Sequence, residues 1–157
     1  EIPTSGIATM DSRLYFNDKT QNYFLYGFDF EKGKTVKYEF MVSGAGTDLV
    51  LSPLAGIDGG YFTSPGNDEA FYMAESFDNP QAAQDYYTGL TLFAAPAFTE
   101  WANPLLANQV WIIRTLEDRY AKIWIQSVET RNDTEGDYVQ VTFAWTFQPD
   151  GSTTFPE

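Results

Sequence analysis

Carboxylates are the one abundant reactive group in this sequence. It carries 22 Asp and Glu against nine Lys and Arg, and it has neither Cys nor His. Without Cys there is no disulfide, thiolate nucleophile or iron–sulfur cluster. Without His as well, Ser-His-Asp and Cys-His arrangements and Cys/His zinc sites are excluded. What is left for an enzyme is carboxylate chemistry of the glycosidase kind, with an acid and a base flanking one bond. Among 22 acids some pair fits that description by chance, and spacing along a chain does not say which carboxylates face each other. The expectation is a protein that is not an enzyme.

The charge is distributed unevenly. The formal net charge is −13, and between Tyr38 and Ile113 there is no Lys or Arg but nine acids. Such a balance opposes nucleic acid and anionic membrane surfaces, whose phosphates need Lys and Arg to displace counterions. A solvated, solubilising surface is the ordinary explanation. The functional one is a site for a cation or a polyhydroxylated ligand. Asn132, Asp133, Glu135 and Asp137 crowd one polar stretch, and Asp58 and Asp68 flank another. Oxygen clusters can hold Ca²⁺, but the DxDxDG spacing is absent, so no metal is assigned.

Any such site needs a scaffold, and the scaffold is clearest in residues 110–155. Val139, Val141, Phe143, Trp145 and Phe147 fall on one side of a period-2 pattern, with Tyr138, Gln140, Thr142, Ala144 and Thr146 on the other. Successive strand side chains point to opposite faces, so this run has one dry face and one wetter face. Residues 120–126 alternate in the same way. Residues 110–113 are apolar without a break, as in a strand covered on both sides. Residues 116–119 suit a tight hairpin, 129–137 read as a nine-residue polar tip, and Pro149-Asp150-Gly151-Ser152 reads as a β-turn.

The rest of the chain adds to the same picture. Residues 1–10 are small and polar and read as a loose N-terminal arm. A strand opens at 14–16, and residues 23–30 and 35–42 alternate around a Glu-Lys-Gly-Lys turn as a hairpin. Residues 43–46 break the strand, 48–51 form a short strand, 52–68 read as loop, and 71–73 as one more brief strand. Asn79 or Asp78 as cap, Pro80 at the first position and Gly89 at the end predict a helix over 80–89. Residues 96–103 suggest a second helical turn. The fold class is therefore all-β, mainly antiparallel sheets in a sandwich-like arrangement with one or two short helices, and 1–157 reads as a single domain of a size able to bury its own core.

The closing stretch resembles the HmuY family, the haemophore-like haem-binding lipoproteins of Bacteroidetes. The pieces that carry the likeness are VWIIRT, a short turn, YAKIWIQS, and then VTFAWTFQPDGSTTF; FLYGFDFEKGKTV near the start gives a weaker match. The stronger part spans under a third of the chain. The resemblance implies an extracellular ligand-binding protein on the outer-membrane surface. It also implies a lipid anchor on a Cys before Glu1, and the absence of an initial Met fits removal of a leader segment. Haem is the implied cofactor, held in a cleft by two axial side chains, His or Met.

This chain has no His, and of Met10, Met41 and Met73 only Met73 lies in the loop-rich middle. Tyr72, Tyr86 and Tyr87 are the phenolates that could take a haem iron beside it. The alternative is a carbohydrate-binding module of β-sandwich type, in which an exposed ring stacks on a sugar while acids accept hydroxyl hydrogen bonds. Trp101, with Glu100 and Asn103 beside it, is the first choice for that platform, and Trp124 the second. Either way the partner is a small-molecule ligand, haem-like or glycan. The oligomeric state is not legible.

Overall fold

Alternating aromatic and β-branched residues make strands wherever a flat hydrophobic face can be covered, and strands dominate the molecule. The computed structural model describes residues 2–39, 47–55, 58–94 and 97–156. In chain order the elements are β1 (Ser5–Asp11), β2 (Tyr15–Asn17), β3 (Asn22–Asp29), β4 (Lys34–Glu39), β5 (Val50–Pro53) and β6 (Gly60–Thr63). Then come β7 (Phe71–Ser76), α1 (Pro80–Gly89), β8 (Trp101–Ala102), β9 (Gln109–Arg114), β10 (Tyr120–Asp133) and β11 (Gly136–Gln148). Among the described residues all strand pairings are antiparallel. A five-stranded sheet runs β1-β11-β10-β9-β7, and two three-stranded sheets run β2-β3-β4 and β5-β6-β8.

The dry face read in β11 is the floor of the core. Val139, Val141, Phe143, Trp145 and Phe147 are all buried, together with Trp111, Ile113, Ile123 and Ile125. The two small sheets lie over this floor as the second layer of a sandwich. Phe28 of β3 meets Phe143 edge-on at 5.4 Å and Trp145 at 5.5 Å. Phe62 of β6 meets the same Phe143 at 5.8 Å.

The other face of β11 is drier than its sequence suggests. Ala144 and Thr146 are buried, because α1 packs over this side of the large sheet. The helix starts as expected, with Asn79 Oδ1 accepting the Ala82 N–H at 2.8 Å and Pro80 following the cap. No basic residue stands in its last turn. The sheet supplies one instead. Lys122 Nζ donates to Tyr87 O at 2.5 Å and Leu90 O at 2.8 Å, placing a cation at the negative end of the helix. Burial lowers the Lys122 amine to about 8.

Several expectations are corrected. The loose arm expected over 1–10 is corrected from Ser5 onward: Ser5–Asp11 pairs along its whole length with β11, from Ser5↔Thr146 to Asp11↔Gln140. Small residues suffice there because an edge strand is held by its backbone, and Gly6 lies so close to the Trp145 indole that a Cβ would stand 3.0 Å from Nε1. The polar tip at 129–137 is mostly strand, with β10 and β11 paired out to Asp133↔Gly136. Its residues are polar because the hairpin projects beyond the core. The second helical turn does not form over 97–103: Thr99 bridges to Phe71 and Trp101–Ala102 is a strand against β6. Residue 96 lies outside the described residues, as do 40–46, which hold the end of the expected second hairpin strand and the break after it. Within the expected loop 52–68, the Tyr-Phe-Thr run forms β6.

Gly60 in β6 shows how closely the layers approach. A Cβ there would come within 2.7 Å of Ser52 O and 2.8 Å of Val139 Cγ1. Gly60→Ala is expected to cost about 1–3 kcal/mol through overpacking. Urea denaturation would show this as a lower midpoint at unchanged slope.

Candidate functional site

A cleft of about 540 Å³ opens between the end of β4, the β5-β6-β8 sheet and the turn after β6. Its wall begins with alternation in β6. Phe62 points inward and is fully buried, so Tyr61 and Thr63 point the other way. β8 pairs with Trp101 opposite Thr63 and Ala102 opposite Phe62. Ala102 is therefore buried and Trp101 stands out beside Thr63, 49% exposed. Tyr61 supports the indole, with ring centroids 5.6 Å apart and planes tilted by 38°.

The turn after β6 forms the rim. Gly66 takes φ 73°, the left-handed region that glycine enters without strain. Asn67 fixes the turn. Its backbone N–H donates to Ser64 O at 3.0 Å and its Nδ2 to Arg114 O at 2.8 Å. Its Oδ1 accepts the Glu69 N–H at 3.2 Å. Asp68 and Glu100 bring two carboxylates to the lining, and Ser52, Thr63 and Ser64 bring hydroxyls. Among the described residues no Lys or Arg lines the cleft. The nearby Arg114 is engaged by Asp118 at 2.7 Å and Glu69 at 3.4 Å. The arrangement offers a ring face for stacking, ringed by hydrogen-bonding oxygens and negative charge.

The other sequence candidates are scattered. Tyr72 and Met73 are neighbours on the edge strand β7, so they project to opposite faces. Tyr72 lies opposite Ile112, and Met73, 44% exposed, opposite Trp111. Tyr86 sits on α1 against Phe77 at 5.4 Å. Its hydroxyl pKa is raised first by burial, then by Glu75 and Tyr72, so Tyr72 and Tyr86 share the helix side. Tyr87 is a packing residue on that side. Its hydroxyl shares a 2.6 Å hydrogen bond with Thr146 Oγ1, and burial pushes its pKa up to about 12. Trp124 lies under Tyr87 at 6.3 Å and its Nε1 is buried with no partner among the described residues, so it is no exposed platform.

Met73, the tyrosines and Trp101 thus do not converge on one slot. Sequence reasoning found Trp101 and Glu100 but missed Tyr61, Ser52, Thr63, Ser64 and Asp68 as their company. The signal for Tyr61 was the Tyr-Phe-Thr alternation, hidden among glycines and prolines. The acid-rich stretches gather no metal site: among the described residues no group of three or more acids is placed to hold an ion. Asn132 Nδ2 instead donates to Asp137 Oδ1 at 2.7 Å, and Asp133 pairs with Arg13 at 3.2 Å.

Fold and cleft together define an antiparallel β protein with an aromatic-walled, acidic surface cleft. No protein-family model matches the chain, and no curated protein matches it. No helix among the described residues is long and apolar enough to cross a membrane.

Proposed function

We propose that this is a non-enzymatic binding protein that acts outside the cell and holds a glycan-type, polyhydroxylated ligand on Trp101. The observation that carries the reading is the half-exposed Trp101 ring, backed by Tyr61 in a cleft with hydroxyls and carboxylates. A large ring left in water is costly unless something covers it, and the apolar face of a pyranose stacks on indole while its hydroxyls bond to the rim. A volume of about 540 Å³ is ample for one or two sugar units. The extracellular setting rests on the resemblance to the HmuY family.

Trp101→Ala is the direct test. It is expected to weaken glycan binding by about thirtyfold or more, the cost of losing a central aromatic anchor. Calorimetric titration against the oligosaccharides that score on a glycan array would measure it, with circular dichroism confirming the fold. No hit on a broad array would end this reading.

Haem is the second reading, carried by the family resemblance and by the accessible thioether of Met73 on a sheet edge. It predicts a Soret band on haemin titration that Met73→Ala diminishes. Flat absorbance at micromolar haemin would dispose of it.

A further inference from the structure

We infer that the Trp101 cleft selects sugars bearing a free ammonium group, that is, de-acetylated amino-sugar oligosaccharides, over neutral or acidic ones. The inference rests on the proposed glycan site and adds its charge preference.

Two features of the lining point this way. The first is sign. Asp68 and Glu100 are exposed on the cleft and have no hydrogen-bonding or ion-pair partner among the described residues. Among the described residues no cation is paired with them. Arg114 is held by Asp118 and Glu69. Lys37, next to the cleft residue Tyr38, projects from the opposite face of β4 and lies 4.9 Å from the Phe24 ring. An ammonium group entering this lining meets two carboxylates and the electron-rich face of the indole. A uronate carboxylate would be repelled by both acids.

The second feature is the mix of hydrogen-bonding groups. The hydroxyls of Ser52, Thr63 and Ser64 make no hydrogen bond among the described residues and can both donate and accept. An aliphatic polyamine offers only donors and no flat face for Trp101. A glucosamine unit offers an ammonium, hydroxyls that accept as well as donate, and an apolar ring face. It uses every part of the lining.

The experiment compares three hexasaccharides by calorimetry: glucosamine, N-acetylglucosamine and galacturonate. Mildly acidic buffer keeps the sugar amine protonated. The native protein is set against Trp101→Ala and the double variant Asp68→Asn/Glu100→Gln, both at exposed positions, with circular dichroism confirming the fold of each. The expected result is glucosamine binding at least about tenfold tighter than N-acetylglucosamine, with no galacturonate binding. The double variant should lose that preference, and Trp101→Ala should lose both ligands. Equal binding of the two amino sugars, abolished by Trp101→Ala, would overturn the charge selection and keep the glycan site. A glucosamine preference that survives in the double variant would assign it to the overall negative charge and also overturn the inference. No binding of any probe, together with a blank glycan array, would remove the glycan reading and this inference with it.

Discussion

Phe143→Ala is expected to lower the unfolding free energy by about 3–5 kcal/mol, the usual cost of truncating a fully buried aromatic ring. The position is special because its ring joins layers. Phe143 stands in the centre of β11 and is fully buried. On one side it meets Phe28 of the β2-β3-β4 sheet, and on the other Phe62 of the β5-β6-β8 sheet. Phe62 lies between Tyr61 and Thr63 and pairs with Ala102, next to Trp101. The same substitution should therefore loosen the wall that holds Trp101. Urea denaturation reads the first effect, and Trp101 fluorescence in a variant lacking the other three tryptophans reads the second. A loss below about 1 kcal/mol would show that the two small sheets are not held through this ring.

Titration of Asp48 is expected to lower stability between about pH 4 and pH 7, and Asp48→Asn to abolish that share of the fall. Asp48 is buried, and burial is the main reason its carboxyl rises from 3.8 to about 7. The neighbouring charges of Asp29, Glu117 and Glu31 push the same way. A single hydrogen bond opposes them, the Phe30 N–H donating to Asp48 Oδ2 at 2.8 Å. In this window the folded protein holds a proton that the unfolded chain has released. The contribution is complete below the unfolded value and is lost as pH rises through 7. A gap of roughly three units corresponds to an upper figure of roughly 4 kcal/mol.

Asn keeps an acceptor for the Phe30 N–H and never ionises. The variant should therefore be more stable than the native protein at about pH 8 and similar to it at about pH 4. Comparing the two proteins at each pH cancels the repulsion shared by the remaining acids. Parallel stability curves for the two would refute the assignment.

Much of the scaffold was legible before any coordinate. Alternation at residues 139–147 marked the core face of β11 correctly, because a strand's period of two ties each side chain to a face. The unbroken apolar run at 110–113 marked a strand covered on both sides. Pro80 and Gly89 marked the extent of the helix, and of the two cap candidates, Asp78 and Asn79, it is Asn79 that caps it, since caps are local chemistry. β1 and the outer part of the β10–β11 hairpin were missed for one shared reason. Both are held by backbone pairing, which leaves no trace in side-chain hydropathy.

The site divides along the same line. The sequence by itself determined the chemical stock of this protein: carboxylates, hydroxyls and aromatic rings, with no thiol or imidazole, and positive charge missing from the whole middle of the chain. It also determined that sheets would carry them. Only the tertiary structure decided that Trp101 stands beside Tyr61 and across from Thr63, within reach of a rim bearing Asp68. It likewise decided that Tyr87 and Trp124 are packing and that Tyr72 and Met73 part company. Strand pairing brings together residues some 40 positions apart, as β8 is laid against β6, and the register that does so is set by which side chains the shared core accepts.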